Sequence, residues 1–325
     1  MSRFTAAKKI FEMSRKIHLL RGGSTLKYFN DAVQCSKKHG ASPENYFVLR
    51  FFELDEKERA SYLTSGRSKE LDRLLNLNAT ADEKEKIGHK SLFNSAFKGL
   101  VKRDFIYAPD SDFDSFSAFI NRNGEFIVKP DTGTMGRGVE KKKREHIGDF
   151  QEFYSYCCNN HLLLEEVIIQ HEDLNKINSC CINSIRINAA RSSSEIKLIG
   201  ACIKCGTGKN VSDNFHAGGI AYPLDMETGR VSGAGRNNTD LNEYEYHPGN
   251  GLFMPDFQIP FWSEIKQSVI SGMELVPSLG YIGWDIAVTP DGPEIIEGNY
   301  SWPGGNIIQF DRVGKYPLLL SCCGE

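Results

Sequence analysis

Residues 283–305 read GWDIAVTPDGPEIIEGNYSWPGG. Two largely apolar runs, GWDIAVT and PEIIEGN, flank the turn Pro290-Asp291-Gly292. That pattern predicts an antiparallel hairpin. Each run carries an acid where an apolar residue would pack better, Asp285 in the first and Glu297 in the second, and Asn299 follows two residues on. All three are hard oxygen donors, suited to Mg²⁺ and not to zinc. Facing residues of a hairpin share a side of the sheet. An odd-length loop therefore puts Asp285, Glu297 and Asn299 on one face, whereas a two-residue loop puts Asp285 on the other. The prolines on each side of the turn argue against a two-residue loop, so an odd loop is expected. The bland alternative is a solvated face with incidental polar residues. It does not explain why they interrupt apolar runs.

The rest of the chain sets the frame. It has 325 residues, enough for two or three domains or subdomains. A formal net charge of −3 gives no global basic field for nucleic acid or acidic membranes. No apolar run approaches the roughly 20 residues that cross a bilayer. The first residues, MSRFTAAKKIFEMSRKIHLL, do not read as a secretion signal, because charges interrupt every apolar stretch. They read as a basic amphipathic helix with a stripe of Phe4, Ile10, Phe11, Ile17 and Leu20. Nine cysteines, several in adjacent pairs, point to free thiols and a reducing cytoplasm. Cys202-x-x-Cys205 lacks a second ligand pair and lies in a strand-like run, so it reads as packing.

Helix-like patterning dominates residues 1–88, over 4–20, 25–39, 55–64 and 67–76, and a further helix is expected near Lys90–Val101. The pattern then changes. GEFIVKP, VEKKK, LLLEEVII, NSIRINAARS, EIKLIGACIKC and GGIAYPLD read as strands, and DFQEFYSYCCNN as a helix. Ser263 is placed to cap an amphipathic helix bearing Ile265, Val269, Met273, Val276 and Leu279. This is an α+β order with antiparallel hairpins, not a series of βαβ units.

Between the first two strands, Gly133, Gly136 and Gly138 make a loop able to close backbone N–H groups on an anion. Lys129 ends the preceding strand, placed for a phosphate, and Arg137 adds charge. A plain hairpin turn explains the glycines about as well. Gly208-Lys209 imitates the end of a Walker loop, but Ile203 stands at its first glycine and Asn210 at its Ser/Thr. In LLLEEVIIQHED, alternation turns either Glu165 or Glu166 toward a buried side, against the alternative of solvated acids on an edge strand.

Together these segments resemble the ATP-grasp superfamily, and within it the sugar-transfer-associated group. HKSLFN, FIVKPDTGTMGRGV, LLLEEVIIQHEDLNKINSCCINSIRI, VSDNFHAGGIAYPLD and WDIAVTPDGPEIIEGN occur in the family's order over about residues 88–305. The resemblance implies an ATP-grasp fold, two α+β subdomains clasping ATP. The small subdomain would span 89–164 and the large one 165–325, after a mainly helical region 1–88. It implies ATP and Mg²⁺ as cofactors. Lys90 and Lys129 would contact phosphates, and the 131–138 loop, with Gly133, Thr134, Gly136, Arg137 and Gly138, would cover them. Glu165 with Glu166, Val167 and Ile168 would form the adenine hinge, and Glu172 or Asp173 would take the ribose. Asp285, Glu297 and Asn299 would hold the metal. Asn183 and Arg186 would stand near the γ-phosphate, as catalytic residues with Lys129, since arginine suits planar anions. Asp213, Asn214 and His216 would lie at the substrate end.

The implied reaction is ATP-dependent carboxylate–amine ligation through an acyl phosphate, on a small-molecule carboxylate and amine, sugar-linked or in polysaccharide biosynthesis. A kinase acting on a hydroxyl, and a nucleotide-binding protein without turnover, are the alternatives. No Ser-His-Asp or Cys-His set suggests a protein nucleophile.

Overall fold

Two antiparallel sheets organise the chain. The structure is a computed structural model that describes residues 3–133, 137–208, 213–301 and 303–323. Seven helices come first: α1 (Arg3–Arg21), α2 (Thr25–His39), α3 (Pro43–Val48), α4 (Glu56–Ser61), α5 (Ser65–Leu75), α6 (Ala81–Gly88) and α7 (Lys90–Ala96). Next come β1 (Phe105–Tyr107), α8 (Phe113–Arg122), β2 (Glu125–Pro130), β3 (Glu140–Lys143), α9 (Phe150–Asn159) and β4 (Leu162–Glu166). These strands form a sheet of order β1-β4-β2-β3. After α10 (Glu172–Asn175) follow β5 (Ile185–Arg191), β6 (Ile196–Cys205), β7 (Ile220–Leu224), α11 (Trp262–Glu274), β8 (Tyr281–Thr289), β9 (Gly292–Asn299) and α12 (Tyr316–Leu320). The larger sheet runs β7-β6-β5-β8-β9. No described helix is long and apolar enough to cross a membrane.

Alternation decides which way each sheet faces. In the small sheet Phe126, Val128, Leu162 and Leu164 pack with Phe116, Phe119 and Ile120 of α8 and Cys157 of α9. Lys129 and Glu165 therefore point to the opposite side, away from those helices. In the large sheet Ile185, Ile187, Ile203, Ile282, Trp284 and Ile295 share a core with Val269 and Met273 of α11 and Phe93 of α7. Phe97 meets the Trp284 indole at 5.5 Å in an edge contact. The other face presents Arg186, Lys204, Asp285 and Glu297, and farther along the strands Tyr281 and Cys202 pack with Phe47, Phe51, Leu63 and Phe310.

The helical region packs directly on the large sheet. Helices α1–α3 and α5 pack in the core on one face of the large sheet, and residues of α6 and α7 join the core on its other face. Residues 89–101 join the large sheet's core and not the small sheet's. Glu165 and Glu166 belong to the small sheet, just beyond the expected break at 164.

Smaller expectations also shift. Ile17 is buried, but Phe11 and Leu20 are exposed, and Ser14 takes the inward position, so the stripe of α1 lies one step round the helix. Phe4 lies outside the described side chains. Helix α11 starts after Phe261, at φ 56°, with no side-chain cap from Ser263. Cys202 and Cys205 are buried and free, as a packing role requires.

The hairpin loop is even, not odd. Thr289 pairs with Gly292, leaving only Pro290 and Asp291 in the loop. The Thr289 hydroxyl donates to Gly292 O at 2.8 Å and closes the turn. A regular ladder from that turn would put Asp285 and Glu297 on opposite faces. A β-bulge intervenes: Ile286 pairs with Ile295, Asp285 pairs with Glu297, and Ile296 is the extra residue. The bulge restores the common face that the loop alone would have destroyed.

One buried acid in the helical layer yields a stability prediction. Asp72 on α5 has an oxygen buried without a hydrogen-bond partner. Burial pushes its carboxyl up to about 7. Between the unfolded value near 4 and about 7, the folded state holds a proton that the unfolded state releases. Stability from this group therefore falls as pH rises through that window. Asp72→Asn is expected to stabilise the protein at pH 8 by on the order of 1 kcal/mol. At pH 4 the gain should vanish, as thermal melts at both pH values would show.

Candidate active site

Strands β5 and β8 place Arg186 opposite Asp285. The guanidinium forks onto the carboxylate, Nε to Oδ1 at 2.8 Å and Nη2 to Oδ2 at 2.7 Å. From β6, Lys204 Nζ lies 2.9 Å from Asp285 Oδ1. Burial alone would raise the Asp285 carboxyl, but Arg186 and Lys204 outweigh it and hold it well below the ordinary carboxylate range. Arg186 Nη1 also donates to Pro303 O at 2.8 Å, which draws the 303–305 segment over the strand. Gly283 permits this approach, since a Cβ there would collide with Pro303 O.

Glu297 faces Asp285, and Asn299 Nδ2 donates to Glu297 Oε1 at 3.2 Å. Burial first, and then the charge of Asp285, raise the Glu297 carboxyl. A divalent cation would relieve both causes, and every donor here is a hard oxygen, so the residues fit Mg²⁺. Glu297 and Asn299 present the more available oxygens. Both oxygens of Asp285 already meet cationic side chains, Arg186 and Lys204. Among the described residues no set of three or more His, Cys, Asp or Glu is gathered for a metal; the donors here are two carboxylates and an amide.

Two lysines approach from the other sheet's side. Lys129 Nζ is 2.6 Å from Glu165 Oε2. Lys90, first residue of α7, donates through Nζ to Gly133 O at 3.1 Å and to Asp131 O at 3.3 Å. Its ammonium is pulled down by burial and then by Lys129, while Glu297 acts in the opposite direction. Asp131 anchors the start of the loop, accepting from Ser91 N at 2.8 Å and meeting His89 Nδ1 at 2.7 Å. Gly133 (φ 120°) and Gly138 (φ 73°) adopt left-handed backbone, and Arg137 is exposed. Thr134 and Gly136 lie outside the described residues.

The Glu165 carboxylate is taken up by protein groups. It is buried between Lys129, Asn94 Nδ2 at 2.6 Å and Arg103 Nε at 3.1 Å. Burial works to raise it, but Lys129 and Arg103 hold it at about 2. Alternation turns it inward, and inward it meets cations. Glu166 is exposed and accepts from Asp104 N at 3.0 Å. Beyond it Val167 and Ile168 leave the ladder, and their backbone groups make no hydrogen bond to another described residue. Glu172 is exposed at the start of α10.

Asn183 is fully buried, and its Nδ2 donates to Gln170 Oε1 at 3.1 Å, Leu174 O at 3.1 Å and Asn178 O at 2.7 Å. These bonds pin the 170–178 segment. Asp213 Oδ2 accepts from Ser184 N at 3.0 Å and from the Ser184 hydroxyl, and its charge is felt at Lys204. Asn214 Oδ1 accepts from His216 N at 2.9 Å, capping a short turn. His216 is half exposed, with Nδ1 3.7 Å from Glu44 Oε1.

Sequence reasoning missed Lys204 and Arg103. Lys204 interrupts an apolar strand just as Asp285 does, so the same signal could have found it. Arg103 stands in VKRDF, a connecting segment without pattern.

The described residues thus bring together a buried arginine–lysine–carboxylate face, and Lys90 and Lys129 lie beside Asp131 and Glu165. The sequence profile described as "Sugar-transfer associated ATP-grasp" matches residues 99–313, more than half of the chain. The chain belongs to that family, and its two-sheet architecture is the ATP-grasp fold. No curated protein matches it. Similar solved structures include N5-carboxyaminoimidazole synthetase from Staphylococcus aureus with ADP, at 12% identity and TM-score 0.47 over 77% of this chain and 58% of that one. The ATP-grasp ligase PsnB with a phosphomimetic variant of minimal precursor, Mg and ADP is 14% identical, TM-score 0.46, over 76% and 61%. The ADP complex of purK, N5-carboxyaminoimidazole ribonucleotide synthetase, is 12% identical, TM-score 0.43, over 66% and 45%. The chain thus spans between 45% and 61% of these proteins' lengths.

Proposed function

We propose that this chain is an ATP-dependent carboxylate–amine ligase acting through an acyl phosphate, on a sugar-linked acid or amine. The observation that carries the reading is the pairing of Glu297 with Asp285 on the strand face that also carries Arg186 and Lys204. Lys90 and Lys129 bind phosphate oxygens. The unpaired backbone at Val167 and Ile168 takes the adenine edge, and Glu172 the ribose. Glu297 and Asn299, with Asp285 behind them, hold Mg²⁺. A divalent ion held by these residues would supply charge neutralisation for the phosphates. Arg186 keeps Asp285 ionised and in place, and Asp213, Asn214 and His216 line the acceptor end.

In the first step a substrate carboxylate oxygen attacks the γ-phosphorus and ADP leaves. In the second, an amine nitrogen attacks the acyl carbon, loses a proton and expels phosphate. Positioning and charge supply most of the catalysis, so no protein nucleophile is needed.

The test is product analysis with ATP, Mg²⁺ and panels of sugar acids and amines. Equal amounts of ADP, phosphate and an amide are expected. A phosphate ester without free phosphate would instead make the chain a kinase. Nucleotide binding with no turnover on any panel would make it a non-catalytic binder.

A further inference from the structure

The bulge that aligns the hairpin carboxylates makes Ile296 the extra residue of β9, and the backbone carbonyls beside it take a side-chain partner. That partner is Arg103, whose side chain is 2% exposed. Its Nη2 donates to Ile296 O at 3.2 Å and its Nη1 to Ile295 O at 3.0 Å. Glu294 fixes the same guanidinium, accepting from Nη1 at 2.7 Å and from the Arg103 backbone N at 3.1 Å. On its other side Arg103 Nε lies 3.1 Å from Glu165, the acid that holds Lys129 at 2.6 Å. Nη2 also reaches Asn94 Oδ1 at 3.1 Å, on the helix that begins with Lys90.

We propose that Arg103 is a positioning residue for the metal–phosphate site: its guanidinium holds the Ile296 bulge and thereby keeps Glu297 and Asn299 on the face of Asp285. The same planar group ties that hairpin to Lys129 through Glu165 and to Lys90's helix through Asn94. Lysine cannot replace it, because one ammonium cannot reach the two strand carbonyls, Glu294, Glu165 and Asn94 together. The role rests on the reading of Glu297 and Asn299 as metal ligands, and it concerns geometry, not contact with substrate.

The experiment measures Mn²⁺ affinity of the ADP complex by electron paramagnetic resonance, and ADP affinity in EDTA by calorimetry. Wild type, Arg103→Lys and the isosteric Glu294→Gln are compared, with folding followed by circular dichroism. Arg103→Lys is expected to weaken Mn²⁺ binding at least tenfold and Glu294→Gln about threefold, with metal-free ADP binding within twofold in both. Equal loss of metal-bound and metal-free nucleotide binding would reveal a general packing role and overturn the proposal. Unchanged Mn²⁺ affinity in a folded variant would also overturn it. Should Arg103→Lys fail to fold, Glu294→Gln decides alone by the same criteria. Failure of wild type to bind Mn²⁺ with ADP would instead refute the metal-site reading on which the proposal rests.

Discussion

Replacing Glu297 with glutamine is expected to lower Mg²⁺-dependent ATP turnover by roughly 10²–10³-fold, the scale of losing one preorganised electrostatic contact. The substitution keeps the shape and an oxygen for Asn299 Nδ2, which lies 3.2 Å away. It removes the anionic oxygens that a divalent cation requires. Burial and Asp285 already raise this carboxyl, so ionising it costs the folded protein stability. The neutral glutamine variant is therefore expected to keep the melting temperature unchanged or slightly higher. Loss of activity without loss of stability is the signature of a functional acid, and steady-state ADP release alongside a thermal melt reads both.

Asp285→Ala is expected to behave differently, destabilising the fold by about 3–5 kcal/mol as well as abolishing turnover. Arg186 and Lys204 would keep their buried charges with no carboxylate between them. Urea unfolding at pH 7 measures the cost. The pH dependence follows in sign. The folded Asp285 carboxyl lies below its unfolded value, so its contribution is present above the unfolded value and lost as pH falls through the folded one. Wild type should lose stability toward acid more steeply than the alanine variant. Unchanged urea midpoints at pH 7 would mean that the Arg186–Asp285–Lys204 cluster is not a structural centre.

The hairpin carboxylates were legible because ionisable residues inside apolar runs need a reason, and the ordered motifs supplied one. The bulge was not legible. Loop length fixes register only while the ladder stays regular, and Ile296 looks like any β-branched residue in a strand. Its stabiliser, Arg103, comes from a distant segment, so no local pattern links the two. Glu165 shows a related limit: alternation tells which face a side chain takes, not which cations wait there. Asn183 and Arg186 stand in one short motif, INSIRI, yet the strand begins between them at Ile185. The helical region read correctly as helices, but its role as a layer on the large sheet depends on packing that no single helix encodes.

The most direct measurement is a crystal structure with Mg²⁺ and a non-hydrolysable ATP analogue. The account predicts the ion against Glu297 and Asn299, phosphates between Lys90 and Lys129, and adenine on the backbone of Val167 and Ile168. Nucleotide bound elsewhere, or metal density away from the Asp285–Glu297 face, would contradict it.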